Sequence, residues 1–301
     1  MNALLSRTLG ALTAFFAAPV SGTSAALYRV ALGGCCFWYA FTLALNVERY
    51  FSETGAFPWA FAPRDARWGA FALAPQDEAW ALTIFVVVMG LSVVLALGVL
   101  PRLVCAVLYY LSLSIHYRNP TISSAADQLL HVLLFLSIFL PLGYRLSVDA
   151  VVRRRLGRAT PTGSIWSQRL VQMQVAVVYG MTAVTKAGEE VWQSGDALRG
   201  FLAMPSYSTW PMWHDPWPFM KPLTWGTLAF ELAFAALIWF RPLRPWLLGA
   251  GVAFHTGIGT LMQIPLLSGM MIMTYLLFIP DDVAERAVAR AGAWLRRRRR
   301  G

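Results

Sequence analysis

The chain has 301 residues, of which 57% are hydrophobic and only 13% are charged, and its net charge at pH 7 is +10. Long apolar runs separated by short polar ones are typical of a polytopic membrane protein and argue against a soluble enzyme. The positive charge does not indicate nucleic-acid binding, because the basic residues cluster at the ends of loops, where the positive-inside rule accounts for them. The three Cys lie in apolar runs without a CxxC pair, which argues against a disulfide framework or a thiol-redox site.

The N-terminal 22 residues contain a basic residue and an apolar stretch that weakly resemble a signal peptide. An uncleaved interfacial helix is the favoured prediction, because several apolar side chains share one helical face. These side chains are Leu4, Leu5, Leu9, Leu12 and Phe16.

The apolar runs predict an all-α transmembrane bundle of about eight spans, with interfacial helices at both termini. Residues 1–280 are predicted to form one transmembrane domain, and residues 281–301 an arginine-rich amphipathic tail on the cytoplasmic side. The approximate bounds of the predicted spans are 26–47, 79–99, 103–117, 127–142, 165–187, 223–240, 245–262 and a last span that ends near residue 280.

The distribution of arginine predicts that both termini lie in the cytoplasm, since the arginines at 145–158 and at the C-terminus would then face inward. In that topology most of the remaining ionisable residues gather at the outer ends of spans three, four and five. They are His116, Arg118, Asp127, His131, Lys186, Glu189 and Glu190. This sorting predicts one polar cavity that opens outward.

Span five carries a polar seam that ends in a lysine. Its polar side chains fall within about 40° of one line along a helix. They are Gln168, Gln172, Tyr179, Thr182, Lys186 and Glu190. An ionisable group at membrane depth costs roughly 3 kcal/mol or more unless it faces protein or water, which favours a functional site. The alternative is that Lys186 ends the helix and reaches the interface with its long side chain.

Other polar residues have a functional and a structural interpretation. Asp127 and His131, spaced i,i+4, form an acid–base pair or an interfacial pair in which Asp127 caps the helix. Arg118, with His116 and Asn119, either belongs to a solvated loop or binds an anionic group such as Asp127. Glu231 and His255 lie deep in spans six and seven, so each needs a partner inside the bundle.

Several site classes receive no support. The four His lie in four different segments without metal-ligand spacing, so no metal site is predicted. There is no Walker loop, dinucleotide fingerprint or GxSxG elbow. The loop 189–222, rich in Trp, Pro and Met, is interpreted as an interfacial anchor, with a lid or a quinone-binding element as the alternative.

The run QMQVAVVYGMTAVTKAGEEVWQSGDAL resembles the core of the vitamin K-dependent gamma-carboxylase family and its bacterial relatives, the horizontally transferred transmembrane (HTTM) domain proteins. The similarity consists of a Gln, a Val-Tyr pair, a lysine seven residues later, an acidic pair, a Trp and an acidic/Gly turn. Further points of similarity are the segment with Arg118, Asn119, Pro120 and Asp127, the SVD at 147–149, the ETGAFP loop and the isolated His255.

The resemblance implies that Lys186 takes the place of the lysine that deprotonates reduced vitamin K. In that chemistry the quinol reacts with oxygen to give a strong base, which removes a proton from a peptide glutamate before carbon dioxide adds. The family's histidine of span four falls near Ala126, which shifts that role to Asp127 or His131. The large soluble domain of the full carboxylase is not in this chain, whose length is closer to that of shorter relatives that mature secreted peptides.

The sequence therefore predicts a membrane enzyme of the bacterial inner membrane, with reduced vitamin K or another quinol as cofactor and membrane lipid and a secreted peptide as partners. The alternative is a non-catalytic membrane factor that binds and helps mature or export a peptide. Lys186, Asp127 and His131 are the predicted catalytic residues. The predicted binding residues are His116, Arg118, Asn119, Gln172, Tyr179, Thr182, Glu190, Trp192, Glu231 and His255.

Overall fold

The computed structural model describes residues 10, 13–63, 68–73, 77–206, 208 and 218–298. These residues are predominantly helical, which confirms the predicted all-α class. The one strand pairing in this part of the chain joins Pro19–Val20 (β1) antiparallel to Gly163–Ser164 (β2). The α-helices, in chain order, are α1 (Thr23–Ala44), α2 (Val47–Phe51), α3 (Glu78–Leu97), α4 (Pro101–Arg118), α5 (Ala125–Ser137), α6 (Val148–Arg155), α7 (Trp166–Ala187), α8 (Glu190–Gln193), α9 (Ala197–Ala203), α10 (Met220–Leu237), α11 (Arg244–Leu261), α12 (Pro265–Thr274) and α13 (Asp281–Arg298).

Each predicted span coincides with a helix, and the bounds differ by a few residues. The largest difference is in span four, where α5 ends at Ser137 instead of continuing to residue 142. The amides of residues 138, 139 and 140 donate to the third residue before them, so the helix tightens before Pro141, which has no N–H to continue it. The last span is α12 followed by a 3-10 turn, Tyr275–Phe278.

Two of the described helices, α1 and α3, are long and apolar enough to cross a membrane. The number rises to three if the segments Pro265–Phe278 and Asp281–Arg298 are counted as one broken span. The chain therefore has the features of a membrane protein, and the count of eight spans stays a prediction.

The chain divides into two compact units. The first unit contains residues 1–170 and 279–301, and the second contains residues 171–278. In the first unit α1 packs along α3 at a close approach: a Cβ atom on Gly33 would lie 2.7 Å from the backbone oxygen of Ser92. Glycine is therefore needed for this contact, as at other tight helix crossings. The second unit contains α10, α11, α12 and most of α7.

The N-terminal interfacial helix is described only in part. Residues 13–17 are helical, and the side chain of Phe16 is exposed. The other members of the predicted apolar face, Leu4, Leu5, Leu9 and Leu12, lie outside the described residues. So do Arg64, Asp65 and Arg67 of the first outer loop and most of the Trp/Pro/Met segment at 207–217.

Arg29 is a fully buried arginine in α1 that the sequence analysis did not single out. Its Nη1 donates to the backbone oxygen of Leu142 at 2.6 Å, and its Nη2 donates to Leu146 at 2.6 Å and to Ala96 at 3.1 Å. Gly98 ends α3 with φ +74°, and a Cβ atom there would lie 2.6 Å from Arg29 Nη1. The guanidinium therefore fastens the end of α3 and the turn after α5 to α1.

Asp281, the first residue of α13, caps the N-terminus of α1, which is one of the helices long enough to span a membrane. The carboxylate of Asp281 accepts hydrogen bonds from the backbone N–H groups of Gly22 at 2.9 Å and Ser24 at 2.8 Å. The hydroxyl of Ser24 donates to the backbone oxygen of Ile279 at 2.7 Å, and Glu285 accepts from Ser21 at 2.7 Å. Since Gly22 has no side chain to serve as an N-cap for α1, the C-terminal segment supplies the acceptor.

The buried guanidinium of Arg29 predicts a large cost for its removal. Arg29→Leu leaves at least three carbonyl oxygens, one of them buried, without their charged donor, and we expect a loss of stability on the order of 3–5 kcal/mol. Thermal unfolding of the detergent-solubilised protein measures it. Arg154→Leu, at an exposed position of α6, is the control and should change stability by less than about 0.5 kcal/mol. Equal melting temperatures for wild type and Arg29→Leu would contradict the structural role.

The Asp281 cap predicts a pH dependence. Partial burial acts to raise the pKa of Asp281, but the hydrogen bonds from Ser24 and Gly22 outweigh it and hold the pKa below its ordinary value of 3.8. The unfolded chain then binds this proton more tightly than the folded chain. The stabilisation is therefore complete above about pH 4 and is lost as the pH falls through the folded pKa.

We expect Asp281→Asn to lower stability at pH 7 by about 1 kcal/mol and to weaken the loss of stability below pH 4. Melting temperatures between pH 3 and pH 7 test this. The matched control is Asp282→Asn, whose carboxylate pairs with Arg286 at an exposed position. Identical acid profiles for wild type and Asp281→Asn would show that the cap contributes nothing.

Candidate functional site

An ion pair joins the seam of α7 to the middle of α10. Lys186 Nζ lies 2.5 Å from Oε1 of Glu231, whose side chain is only 5% exposed, whereas that of Lys186 is 25% exposed. The amine also lies 4.8 Å from the ring centre of Trp192, a distance suited to a cation–π contact. Glu231 was expected to need a partner inside the bundle, and that partner is Lys186. The amine therefore contacts the carboxylate of Glu231 and the ring of Trp192, and the Lys186 side chain remains partly exposed.

A second polar cluster in the second unit is centred on Tyr179, about two helical turns before Lys186. Its hydroxyl is hydrogen-bonded to Nε2 of His255 at 2.6 Å and, by a short contact, to the hydroxyl of Tyr275. All three side chains are buried. His255 therefore has the interhelical partner that its position required, and the partner is a tyrosine of the predicted seam.

Tyr275 was not among the residues selected from the sequence. It lies in the 3-10 turn after α12, within an apolar run where tyrosine is an ordinary packing residue. Tyr275 can reach the cluster because residue 251 is a glycine. A Cβ atom at that position would lie only 2.5 Å from the Tyr275 hydroxyl. A glycine one helical turn before His255 is the one sequence signal of this close approach.

Aromatic rings surround this cluster. The ring of Tyr179 lies 4.3 Å from that of Phe234 and 5.5 Å from that of Phe230, and Phe254 lies 5.1 Å from the imidazole of His255. The surroundings are apolar, so polar atoms here gain from every hydrogen bond and are costly when left without one.

Two buried polar atoms near these groups have no hydrogen-bond partner in the described part of the chain. They are Oε2 of Glu231 and Nδ1 of His255. Native proteins leave few such atoms, and each one calls for a water, an ion or a ligand group. Thr182 lies within hydrogen-bonding reach of the Glu231 carboxylate, and its hydroxyl also donates to the backbone oxygen of Val178 at 2.9 Å.

The remaining seam residues differ in their surroundings. Gln168 and Gln172 are buried, and Gln172 Nε2 donates to the backbone oxygen of Leu277 at 2.6 Å. Thr182 and Glu190 are exposed, and Glu190 begins the short helix α8. Trp192 is buried on the same short helix. The predicted polar line therefore consists of buried groups up to Tyr179, followed by half-exposed and exposed ones.

Asp127 and His131 lie in the first unit and are both buried. Asp127 Oδ2 accepts from the backbone N–H of Ser124 at 2.7 Å and from its hydroxyl at 2.6 Å, which is a capping box at the start of α5. His131 is hydrogen-bonded to the backbone of Ser112. The carboxylate thus serves the helix end, as the structural interpretation predicted, and the imidazole is oriented by α4.

His131 has a histidine neighbour that the sequence did not reveal. The rings of His116 and His131 are nearly perpendicular, with their centres 5.6 Å apart. Nε2 of His131 and Nδ1 of His116 are both buried without a hydrogen-bond partner among the residues described. In the same part of the chain no group of three or more His, Cys, Asp or Glu side chains is arranged to hold a metal ion.

Arg118 and Asn119 bind the first outer loop. Arg118 Nη1 donates to the backbone oxygen of Phe57 at 3.0 Å, and its guanidinium lies 5.0 Å from the ring centre of Trp59. Asn119 Nδ2 donates to the backbone oxygen of Tyr50 at 2.8 Å. Both residues are buried. The expectation that Arg118 pairs with Asp127 is wrong, because the guanidinium is directed to the loop and the carboxylate to Ser124.

Comparison with known proteins gives one match. The model of the HTTM domain family matches residues 18–282, which is most of the chain. No curated protein and no solved structure matches it.

The unequal exposure of Lys186 and Glu231 predicts unequal effects of breaking their pair. Lys186→Met leaves a buried carboxylate without its cation and should cost about 3 kcal/mol or more. Glu231→Leu should cost less, since the quarter-exposed amine can turn toward water. The double variant should be more stable than the sum of the single effects implies, by about 1–3 kcal/mol.

Unfolding free energies of the four proteins measure this coupling. The control is the exposed pair of Lys221 and Asp196, whose charged atoms are 3.7 Å apart and whose coupling should fall between about 0 and 1 kcal/mol. Strictly additive effects of Lys186→Met and Glu231→Leu would show that the ion pair carries no energy.

Proposed function

We propose that this chain, which belongs to the HTTM domain family, is an integral membrane enzyme in which Lys186 acts as a general base. The family relates the chain to the vitamin K-dependent carboxylases. The observation that carries the proposal is the contact between Lys186 and the buried Glu231, beside two buried polar atoms for which the described residues provide no hydrogen-bond partner.

The ion pair supplies the chemistry that a base in an apolar site needs. The carboxylate of Glu231 lies 2.5 Å from Nζ of Lys186 and holds the amine in place. In the proposed step a neutral Nζ would take a proton from a bound hydroxyl, and the ammonium formed would be stabilised by the adjacent carboxylate. Glu231 acts as a positioning group that holds the amine and its proton in place.

We propose that a flat, hydroxyl-bearing cofactor binds in the second unit. Oε2 of Glu231 and Nδ1 of His255 can bond to hydroxyl groups, and the rings of Phe230 and Phe254 lie beside the same cluster. A reduced vitamin K or another quinol would supply, when bound, an acidic hydroxyl and two electrons. Tyr179 and Tyr275 orient His255 through their shared hydrogen bonds, and Gln172 fixes the backbone at Leu277.

The first unit has a cluster of buried polar groups of its own, which includes the predicted catalytic residues Asp127 and His131. His131 and His116 each retain a buried nitrogen that can bond to a polar ligand group, Asp127 holds the start of α5, and Arg118 holds the first outer loop. Asn119 helps by fixing the backbone of the same loop at Tyr50. We further propose that Thr182, Glu190 and Trp192 form the entrance beside Lys186.

We propose a location in the bacterial inner membrane, and the distribution of arginine supports a topology with both termini in the cytoplasm and the site open to the outer side. A secreted peptide is the proposed substrate on that side, and membrane lipid surrounds the chain. The coarse assignment, a membrane protein, is given by the family and by the two apolar helices α1 and α3.

One observation favours a second candidate function. Lys186 is already engaged by Glu231 and by the ring of Trp192, an arrangement that also suits a purely structural ion pair. The chain would then be a non-catalytic membrane factor that binds a secreted peptide and helps to mature or export it.

The two functions make different predictions for the lysine. In proteoliposomes supplied with reduced vitamin K and oxygen, we expect the wild type to oxidise the quinol and Lys186→Met to lose at least about 100-fold of that rate, the usual size of a general-base contribution. Chromatography of the quinone products measures the rate. Lys221→Met, which removes the chain's other lysine, is the matched control and should retain the wild-type rate.

A fully active Lys186→Met protein would refute the general-base role. If the wild type shows no quinol oxidation, the enzyme proposal in this form fails. Recovery of the same secreted peptide by wild type and by folded Lys186→Met in a pull-down would then favour the binding function.

A further inference from the structure

The C-terminal helix α13 has an apolar face that the rest of the described chain covers only in part. At 100° per residue, Val283, Ala287, Ala291, Trp294 and Leu295 fall on one side of the helix. Ala284, on the same side, is buried, but Val283, Trp294 and Leu295 are 42%, 52% and 55% exposed. An exposed tryptophan and leucine on one face of a surface helix indicate that this face contacts another apolar surface or lipid.

The charges of α13 are divided along its length. Its first five residues include Asp281, Asp282 and Glu285. From Arg286 to the C-terminus the sequence has seven arginines and no acidic residue. Arg290 and Arg297 flank the apolar face beside Val283 and Trp294, and the guanidinium of Arg298 lies 4.2 Å from the ring centre of Trp294. The face that needs an apolar medium is therefore bordered by cations.

The point of attachment shows where this helix lies relative to the membrane. Asp281 and Glu285 bond to residues 21–24, which form the start of α1. Because α1 is long and apolar enough to span a bilayer, its first residues lie where the chain enters the membrane. The helix α13 thus begins at the level of the lipid headgroups, which favours a membrane surface over a soluble protein as the partner.

We propose that α13 docks onto an anionic bilayer surface, with Val283, Trp294 and Leu295 inserted at the acyl boundary and Arg290, Arg297 and Arg298 bound to phosphate groups of anionic lipids. An arginine near such a surface strengthens binding about fivefold. Asp281 and Glu285 face the start of α1 instead, so the acidic end does not oppose this attraction. The docking is independent of the proposed enzymatic function.

The position of residue 294 relative to lipid tests the proposal in the full-length protein. Cys35, Cys36 and Cys105 are replaced by Ala, Trp294→Cys is introduced, and the new thiol is labelled with an environment-sensitive fluorophore. The protein is placed at one copy per nanodisc in phosphatidylcholine, with or without phosphatidylglycerol. We expect blue-shifted emission with phosphatidylglycerol, at least threefold stronger quenching by lipids brominated near the headgroup, and reversal of both by high salt.

The arginines are tested with a matched pair of triple variants. Arg296→Gln, Arg297→Gln and Arg298→Gln together should strongly weaken the dependence on phosphatidylglycerol, because Arg290 and the other remaining arginines keep only part of the attraction. Arg153→Gln, Arg154→Gln and Arg155→Gln remove the same charge from the end of α6 and should leave the signal of the label unchanged. Hydrogen exchange of residues 281–298 in the unlabelled wild type gives a second readout, with slower exchange expected in phosphatidylglycerol discs.

Several results would overturn the proposal. One is a label that stays water-exposed in phosphatidylglycerol, accompanied by equal hydrogen exchange in both lipids. Another is equal insertion in both lipids, which would leave the arginines without a role. A blue shift seen only with two protein copies per disc would identify another protein chain as the occupant.

Discussion

A charged side chain that leaves water must meet a partner inside the protein, and this constraint orders both units of the chain. In the first unit the guanidinium of Arg29 is surrounded by backbone oxygens, and Arg118 is held by Phe57 and Trp59. In the second unit the carboxylate of Glu231 is held by Lys186. The helices can remain apolar elsewhere because each of these charges is neutralised or solvated by protein atoms.

The kind of partner separates structural charges from reactive ones. Arg29 and Arg118 donate to carbonyl oxygens, which cannot accept a proton in exchange, and a guanidinium stays protonated in proteins. Lys186 and Glu231 are both able to give and take a proton. A titratable pair, next to buried atoms that have no hydrogen-bond partner among the residues described, is the arrangement expected of a site that moves protons. For that reason the proposed chemistry is assigned to the second unit's ion pair and not to the arginines.

The C-terminal helix α13 has two structural roles, since it caps α1 and carries a cluster of basic residues. The start of α1 lacks its own N-cap, and Asp281 and Glu285 provide the acceptors from the far end of the sequence. The same connection fixes α13 beside the entrance of a membrane-spanning candidate. The positive end of α13 then continues the basic character that the segments with Arg145 and Arg153–Arg155 give to the first unit.

The sequence by itself determined the all-α class and the approximate bounds of the helices, and it drew attention to a lysine in an apolar run as a candidate site residue. Hydrophobic length, proline and glycine act locally, so they can be read without knowing which segments meet. The tertiary structure decided every partnership: Lys186 with Glu231, Tyr179 with His255 and Tyr275, His131 with His116, and Arg29 with three distant carbonyls. A side chain's periodicity shows which way it faces along its own helix. The group that faces it is set by packing between helices far apart in sequence, and a single sequence does not encode that in any local pattern.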